Sequence, residues 1–239
     1  MFNSRWINST NQNYELEQIV ETFERNNFYV ETGREFDELN HKIECSEIIN
    51  HDNINFIYGK FGFQFEFIDN TPLITREKIR DGDGEPRLVS HVLNFWIGDN
   101  QKFLFSSSKP NDVKGRNKLS QILFNNDSLI SKVSFGLEEI ARAAYQGEFG
   151  NMWLTGFEDR NGGVQKGIIY GNNVIDDEMY AQIIDSIKNQ LGVTHEIDNE
   201  EVKIRLTRTG TIQPLTRKFE NDEPHIFNLV NELNEYIII

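Results

Sequence analysis

Apolar positions along the chain recur with two different periods, and together they predict a mixed fold. Leu16, Ile19, Val20 and Phe23 fall at i, i+3, i+4 and i+7, the spacing of one helix face. Thr10 or Asn11 offers the start signal, and Asn26-Asn27 the stop. Phe28-Tyr29-Val30 then begins a strand. In FGFQFEF, residues 61–67, every second position is Phe, the period of a half-buried strand. Four phenylalanines on one face could stack nucleobases, but the opposite face holds Gly62, Gln64 and Glu66, with no base to hold a backbone. The stripe therefore reads as core.

Residues 92–105, VLNFWIGDNQKFLF, read as a hairpin turned at Gly98-Asp99-Asn100. A helix follows, opened by Pro110-Asn111 or by Arg116, with Val113, Leu119, Ile122 and Leu123 as its apolar face. Gly115 weakens it by about 1 kcal/mol relative to alanine. Leu137, Ile140, Ala141 and Ala144 mark another helix, closed near Gly147. Residues 152–157 and 164–170 flank Asp159-Arg160-Asn161-Gly162-Gly163, a good tight-turn signal. Met179, Ile183, Ile184, Ile187 and Leu191 predict the clearest helix of all, capped by Asp176 or Asp177 and ended by Gly192. Strands follow at 202–208 and 211–215, turned at Thr209-Gly210. Ile226, Leu229, Val230 and Leu233 define the last helix, and Ile237-Ile238-Ile239 reads as the end of a docked helix.

Hairpins outnumber strand-helix-strand units. The expected class is α+β, mainly antiparallel sheet built from hairpins with about five helices packed on it. No internal repeat is visible. Three regions are expected, or one domain containing them: a helix and Phe-rich strand over 1–70, a flexible loop or boundary over 71–90, and an α+β unit over 91–239.

Composition narrows the setting. The 239 residues are 38 % hydrophobic and 26 % charged, ordinary values for a folded chain, and the 18 Phe suit an aromatic core. Cys45 is the one cysteine, so no internal disulfide framework exists, and a cytoplasmic, bacterial or phage setting is expected. No apolar run approaches the roughly 18 residues of a membrane span, and MFNSRWINSTNQN has no apolar signal core.

The net charge is -14, but it is uneven. Residues 102–118 hold Lys102, Lys109, Lys114, Arg116 and Lys118 against Asp112 alone. Residues 203–218 hold Lys203, Arg205, Arg208, Arg217 and Lys218 with no acid. A polyanion is repelled by the rest of the surface and welcomed at these two segments. In the first, Ser106, Ser107 and Ser108 with Lys109, Lys114, Arg116 and Lys118 surround a strand-to-helix junction suited to an anion. In the second, Lys203 and Arg205 share one face of a strand and Arg208 sits near its turn. The plainer alternative is a pair of solvated edges.

Catalytic patterns are loose. Glu201-Val202-Lys203 matches the Glu-x-Lys of metal-dependent nucleases, with Asp176, Asp177 or Asp198 as the further acid. Asp159 with Gln165-Lys166 is a weaker variant. Asp81-Gly82-Asp83-Gly84-Glu85 resembles half a calcium loop, but position 92, where the loop needs glutamate, is Val. The histidines 41, 51, 91, 195 and 225 have no ligand spacing, and Cys45 with His41 or His51 lacks an oxyanion signature. Phosphate-binding and dinucleotide glycine motifs are absent from the sequence, so no cofactor or metal is expected.

The function expected is a non-enzymatic binding subunit. It contacts nucleic acid or a phosphate group through the two basic segments and acts with a protein partner, away from any membrane. The first alternative is an acidic protein-binding inhibitor or adaptor that imitates nucleic acid. The second is a nuclease centred on Glu201 and Lys203.

Overall fold

A computed structural model of the chain describes residues 4–27, 41–51, 54–68, 73–74, 79–80, 86–107, 113–147, 150–159, 164–197, 200–216 and 223–238. The strand start at 28–30, the calcium-like loop at 81–85 and the turn residues 160–163 lie outside them.

The elements are β1 (Arg5–Ser9), α1 (Leu16–Arg25), β2 (His41–Cys45), β3 (Ile49–His51), β4 (Ile54–Ile68), β5 (Leu73–Ile74), β6 (Ile79–Arg80), β7 (Pro86–Gly98), β8 (Lys102–Ser107), α2 (Val113–Phe124), β9 (Ser131–Lys132), β10 (Ser134–Phe135), α3 (Leu137–Gln146), β11 (Met152–Glu158), β12 (Gly167–Tyr170), α4 (Glu178–Ala181), β13 (Ile187–Ile197), β14 (Glu200–Thr207), β15 (Thr211–Pro214), α5 (Glu223–Glu232) and β16 (Ile237–Ile238). Strand dominates. The class is mixed, with a large antiparallel sheet and five α-helices among the described residues.

Twelve strands form that sheet, in the order β12-β11-β13-β14-β15-β1-β8-β7-β4-β2, with β3 on β4 and β9 on β1. The N-terminal strand β1 is central. From it, the strands run outward as β8, β7, β4 and β2 on one side and as β15, β14, β13, β11 and β12 on the other, in reverse chain order except for the edge hairpin β11–β12. The first half runs from β1 and α1 through β2–β8 to α2, and the second from β9, β10 and α3 through β11–β15, interrupted by α4, to α5 and β16.

Directly opposed residues of an antiparallel pair share a face. Trp6 opposes Phe105 and Thr211; Ile7 opposes Leu104, and Arg5 opposes Ile212. These pairs sort the interior into two cores. Leu16, Ile19 and Phe23 of α1 and Leu119 of α2 pack with Trp6, Phe61, Phe63, Phe95, Phe103 and Phe105 on one side. Leu137 and Ile140 of α3, with Ile226, Phe227 and Val230 of α5, pack with Ile7, Leu191, Val193, Ile204, Leu206 and Ile212 on the other. The helices of the two halves therefore lie on opposite faces of one sheet. Each half leaves its second face open.

Several expectations need correction. Helix α1 starts at Leu16, with Glu15 rather than Thr10 or Asn11 at its N-cap, and makes no side-chain cap bond. Val113 in α2 is exposed, although Leu119 is buried. The predicted helix over 179–191 ends after one turn. Asp177 caps it, its Oδ1 accepting from the Met179 N–H at 2.8 Å, and from Ile187 the chain is strand. Lys188 supplies the reason. Its buried Nζ donates to the carbonyls of Ile183, Ile184 and Ser186 at 2.6, 3.0 and 2.7 Å, closing the turn. Gly192 is not a helix end. It lies mid-strand, where a Cβ would come 2.5 Å from Cε2 of Trp153. Ile237 and Ile238 form a short ladder with Phe135 and Ser134, not a helix end. Residues 86–90, expected within the loop or boundary, are strand.

Candidate nucleic-acid interface

Strand β14 alternates cleanly. Val202, Ile204 and Leu206 are buried in the second core, so Glu201, Lys203, Arg205 and Thr207 point to the open face of the second half. Register then places a row across five strands. Tyr170 opposes Leu154, Leu154 opposes Gly192, Gly192 opposes Arg205, and Arg205 opposes Gln213. Trp153 lies over Gly192, fixed by its indole N–H donating to the Val193 carbonyl at 3.1 Å. Lys203 Nζ sits 5.8 Å from the centre of that indole, a cation–π contact.

The result is a flat platform with two aromatic rings and two cations. Tyr170 is 79 % exposed. Arg205 is half-buried in the row, its Nε buried with no hydrogen-bond partner among the described residues. Ile168, opposite Gly156, extends the platform along the sheet edge.

The other basic positions behave differently. Arg208 turns toward α3: its Nε donates to the Lys188 carbonyl at 2.8 Å and its guanidinium pairs with Glu138. It braces α3 against the sheet and does not join the platform. Lys188 is buried, and burial lowers its pKa.

Ser107 ends β8, while the Ser107 side chain, Ser108 and Lys109 lie outside the described residues. Lys114, Arg116 and Lys118 stand on α2. Lys114 is exposed. Arg116 Nε donates to Asn117 Oδ1 at 3.4 Å, and burial lowers the pKa of both Arg116 and Lys118. Lys102 is buried, its Nζ 3.5 Å from Ser9 Oγ. Helix α2 packs against α1 and β4, on the same side of the sheet as Arg205. In the strand order β4 is five places from β14, about 24 Å at the usual spacing of ~4.8 Å. The two basic segments share a side of the sheet without forming one patch.

Glu201 and Lys203 do share a face, but Glu201 opposes Glu196. Asp176 accepts from Asn173 and Asp177 caps α4, while Asp198 lies outside the described residues. No group of three His, Cys, Asp or Glu side chains able to hold a metal occurs among the described residues. His41 Nε2 meets the Asn26 carbonyl at 3.1 Å, and the ring of His51 lies against that of His225. Cys45 donates to the Ser46 carbonyl, and burial, with Glu24 nearby, pushes its thiol pKa up to about 11. That thiol is a poor nucleophile near neutral pH. No described helix is long and apolar enough to cross a membrane.

Strand alternation alone brings out Lys203 and Arg205. Trp153 and Tyr170 join them only through register, because they arrive from two other strands. The predicted β11–β12 hairpin was the available signal, and it lacked only its alignment with β13. No protein-family model matches the chain, and no curated protein matches it in sequence.

Proposed function

We propose that the protein is a non-enzymatic binding subunit that holds single-stranded nucleic acid on the open face of its second half. The observation that carries this reading is the row Tyr170, Leu154, Trp153 over Gly192, and Arg205, with Lys203 beside it. Sequence-tolerant single-strand binders combine backbone-tracking cations with rings on which bases stack. Here Lys203 and Arg205 take phosphates and Tyr170 takes a base. A flat surface suits bases that are already unpaired. The net charge of -14 repels a polyanion elsewhere, so the bound segment is short. The acidic remainder is left to meet a basic protein partner.

The test is a titration of a fluorescent oligothymidylate at low and physiological salt, with and without magnesium, reading anisotropy and strand integrity. The expected result is salt-sensitive binding without cleavage. Arg205→Gln and Lys203→Gln should each weaken it and reduce the salt slope by about 1. Magnesium-dependent cleavage that vanishes in Glu201→Ala would replace this reading with a nuclease. Absence of binding at low salt would replace it with an acidic adaptor or inhibitor.

A further inference from the structure

The open face of the first half has its own chemistry. Trp96 opposes Tyr58, and Lys60 opposes both Asn94 and Glu44. Glu44, Cys45, Ser46 and Ile49, with Pro224 at the start of α5, border this face as a half-open pocket of about 590 Å³. Small-molecule sites fall at roughly 300–1,000 Å³.

Its lining is divided. Phe56, Tyr58 and Trp96 supply ring surface, and Phe56 is locked by stacking on Phe227 at 5.3 Å. Lys60, Ser46 and Asn94 supply polar groups. Glu44 sits opposite Lys60, but its carboxylate is held by Lys42 at 2.7 Å. Lys60 makes no salt bridge among the described residues. The pocket thus offers aromatic wall and the Lys60 ammonium, whose cross-strand neighbour Glu44 is held chiefly by Lys42. A neutral ring uses only the wall. A bare phosphate uses only Lys60 and leaves the cavity mostly unfilled.

We propose that this pocket binds a planar aromatic ring carrying an anionic group, of the size and class of a nucleoside monophosphate. Strand parity puts it on the opposite side of the sheet from Arg205, so it is a separate site and does not rest on the nucleic-acid reading.

The experiment is calorimetric titration of the full chain with adenosine 5′-monophosphate, adenosine and inorganic phosphate in turn. The monophosphate should bind saturably and about tenfold more tightly than adenosine or phosphate, the scale of one added charge-assisted contact. Lys60→Gln changes an exposed position. It should reduce the monophosphate to the affinity of adenosine while leaving the denaturation midpoint unchanged. Trp96→Leu, checked for folding in the same way, should weaken the monophosphate and adenosine alike. Absence of saturable binding, equal affinity for monophosphate and adenosine, or indifference to Lys60→Gln would each overturn the assignment. Displacement of the monophosphate by the oligothymidylate would also overturn it, because the two would then share the other face.

Discussion

The two halves of the sheet use similar ingredients and produce different surfaces. Each sets a cation over a tryptophan: Arg5 lies 5.4 Å from the ring centre of Trp96 in the first half, and Lys203 lies 5.8 Å from that of Trp153 in the second. In the first half, α5 reaches across from its own core, Phe227 stacks on Phe56, and the face becomes a half-open pocket. In the second half, the core helices lie on the opposite side and Tyr170 stands out at the sheet edge. The difference is one of covering. A bordered depression suits a small ligand, whereas an open face suits a chain that runs past it.

The largest expected effects concern the cores beneath these faces. Phe95 in the first core and Leu191 in the second are both fully buried. Phe95→Ala should cost about 3–5 kcal/mol and Leu191→Ala about 2–5 kcal/mol, measured by chemical denaturation. Strand β1 places Trp6 in one core and Ile7 in the other, so both variants should move a single transition. Two separated transitions, each moved by only one variant, would break the picture of halves joined through β1.

Next in size is the reactivity of Cys45, on the wall of the first-half pocket. Burial raises its thiol from 9.0 to about 11, which leaves about a hundredfold less thiolate at pH 8. Alkylation should be slower by about that factor than in the unfolded chain, and should accelerate as pH rises toward 11. An ordinary rate at pH 8 would show that the wall opens. The smallest effect separates the open face from its core. Tyr170→Ala should leave stability unchanged but weaken oligothymidylate binding by about 1 kcal/mol, the low end for one stacked base. Loss of stability instead would make Tyr170 a packing residue.

Much of this architecture was legible in local pattern. The buried Phe61 and Phe63 of the Phe stripe, the hairpins around 98–100 and 209–210, α1 and α3 follow from period and turn chemistry, and Gly210 takes the positive φ its turn requires, at 74°. The central strand β1 was not legible. Arg5, Asn8 and Ser9 are buried beside Trp6 and Ile7, so RWINS shows neither alternation nor an apolar run. The stretch 179–191 misled for the opposite reason. Its helical spacing is real, but Met179, Ile184 and Ile187 are exposed, and the Lys188 ammonium closes the turn through tertiary contacts. Of the platform, the two cations on one strand were readable. Their aromatic neighbours depended on pairings set between distant segments.

The most direct test of the proposed interface is to map where oligothymidylate lands, following backbone amide resonances of the full chain through a titration. Leu154, Tyr170, Gly192, Arg205 and Gln213 should shift together and saturate together, while Tyr58, Lys60 and Trp96 stay in place. Shifts confined to α2 or to the first-half pocket, or no shifts at low salt, would contradict it.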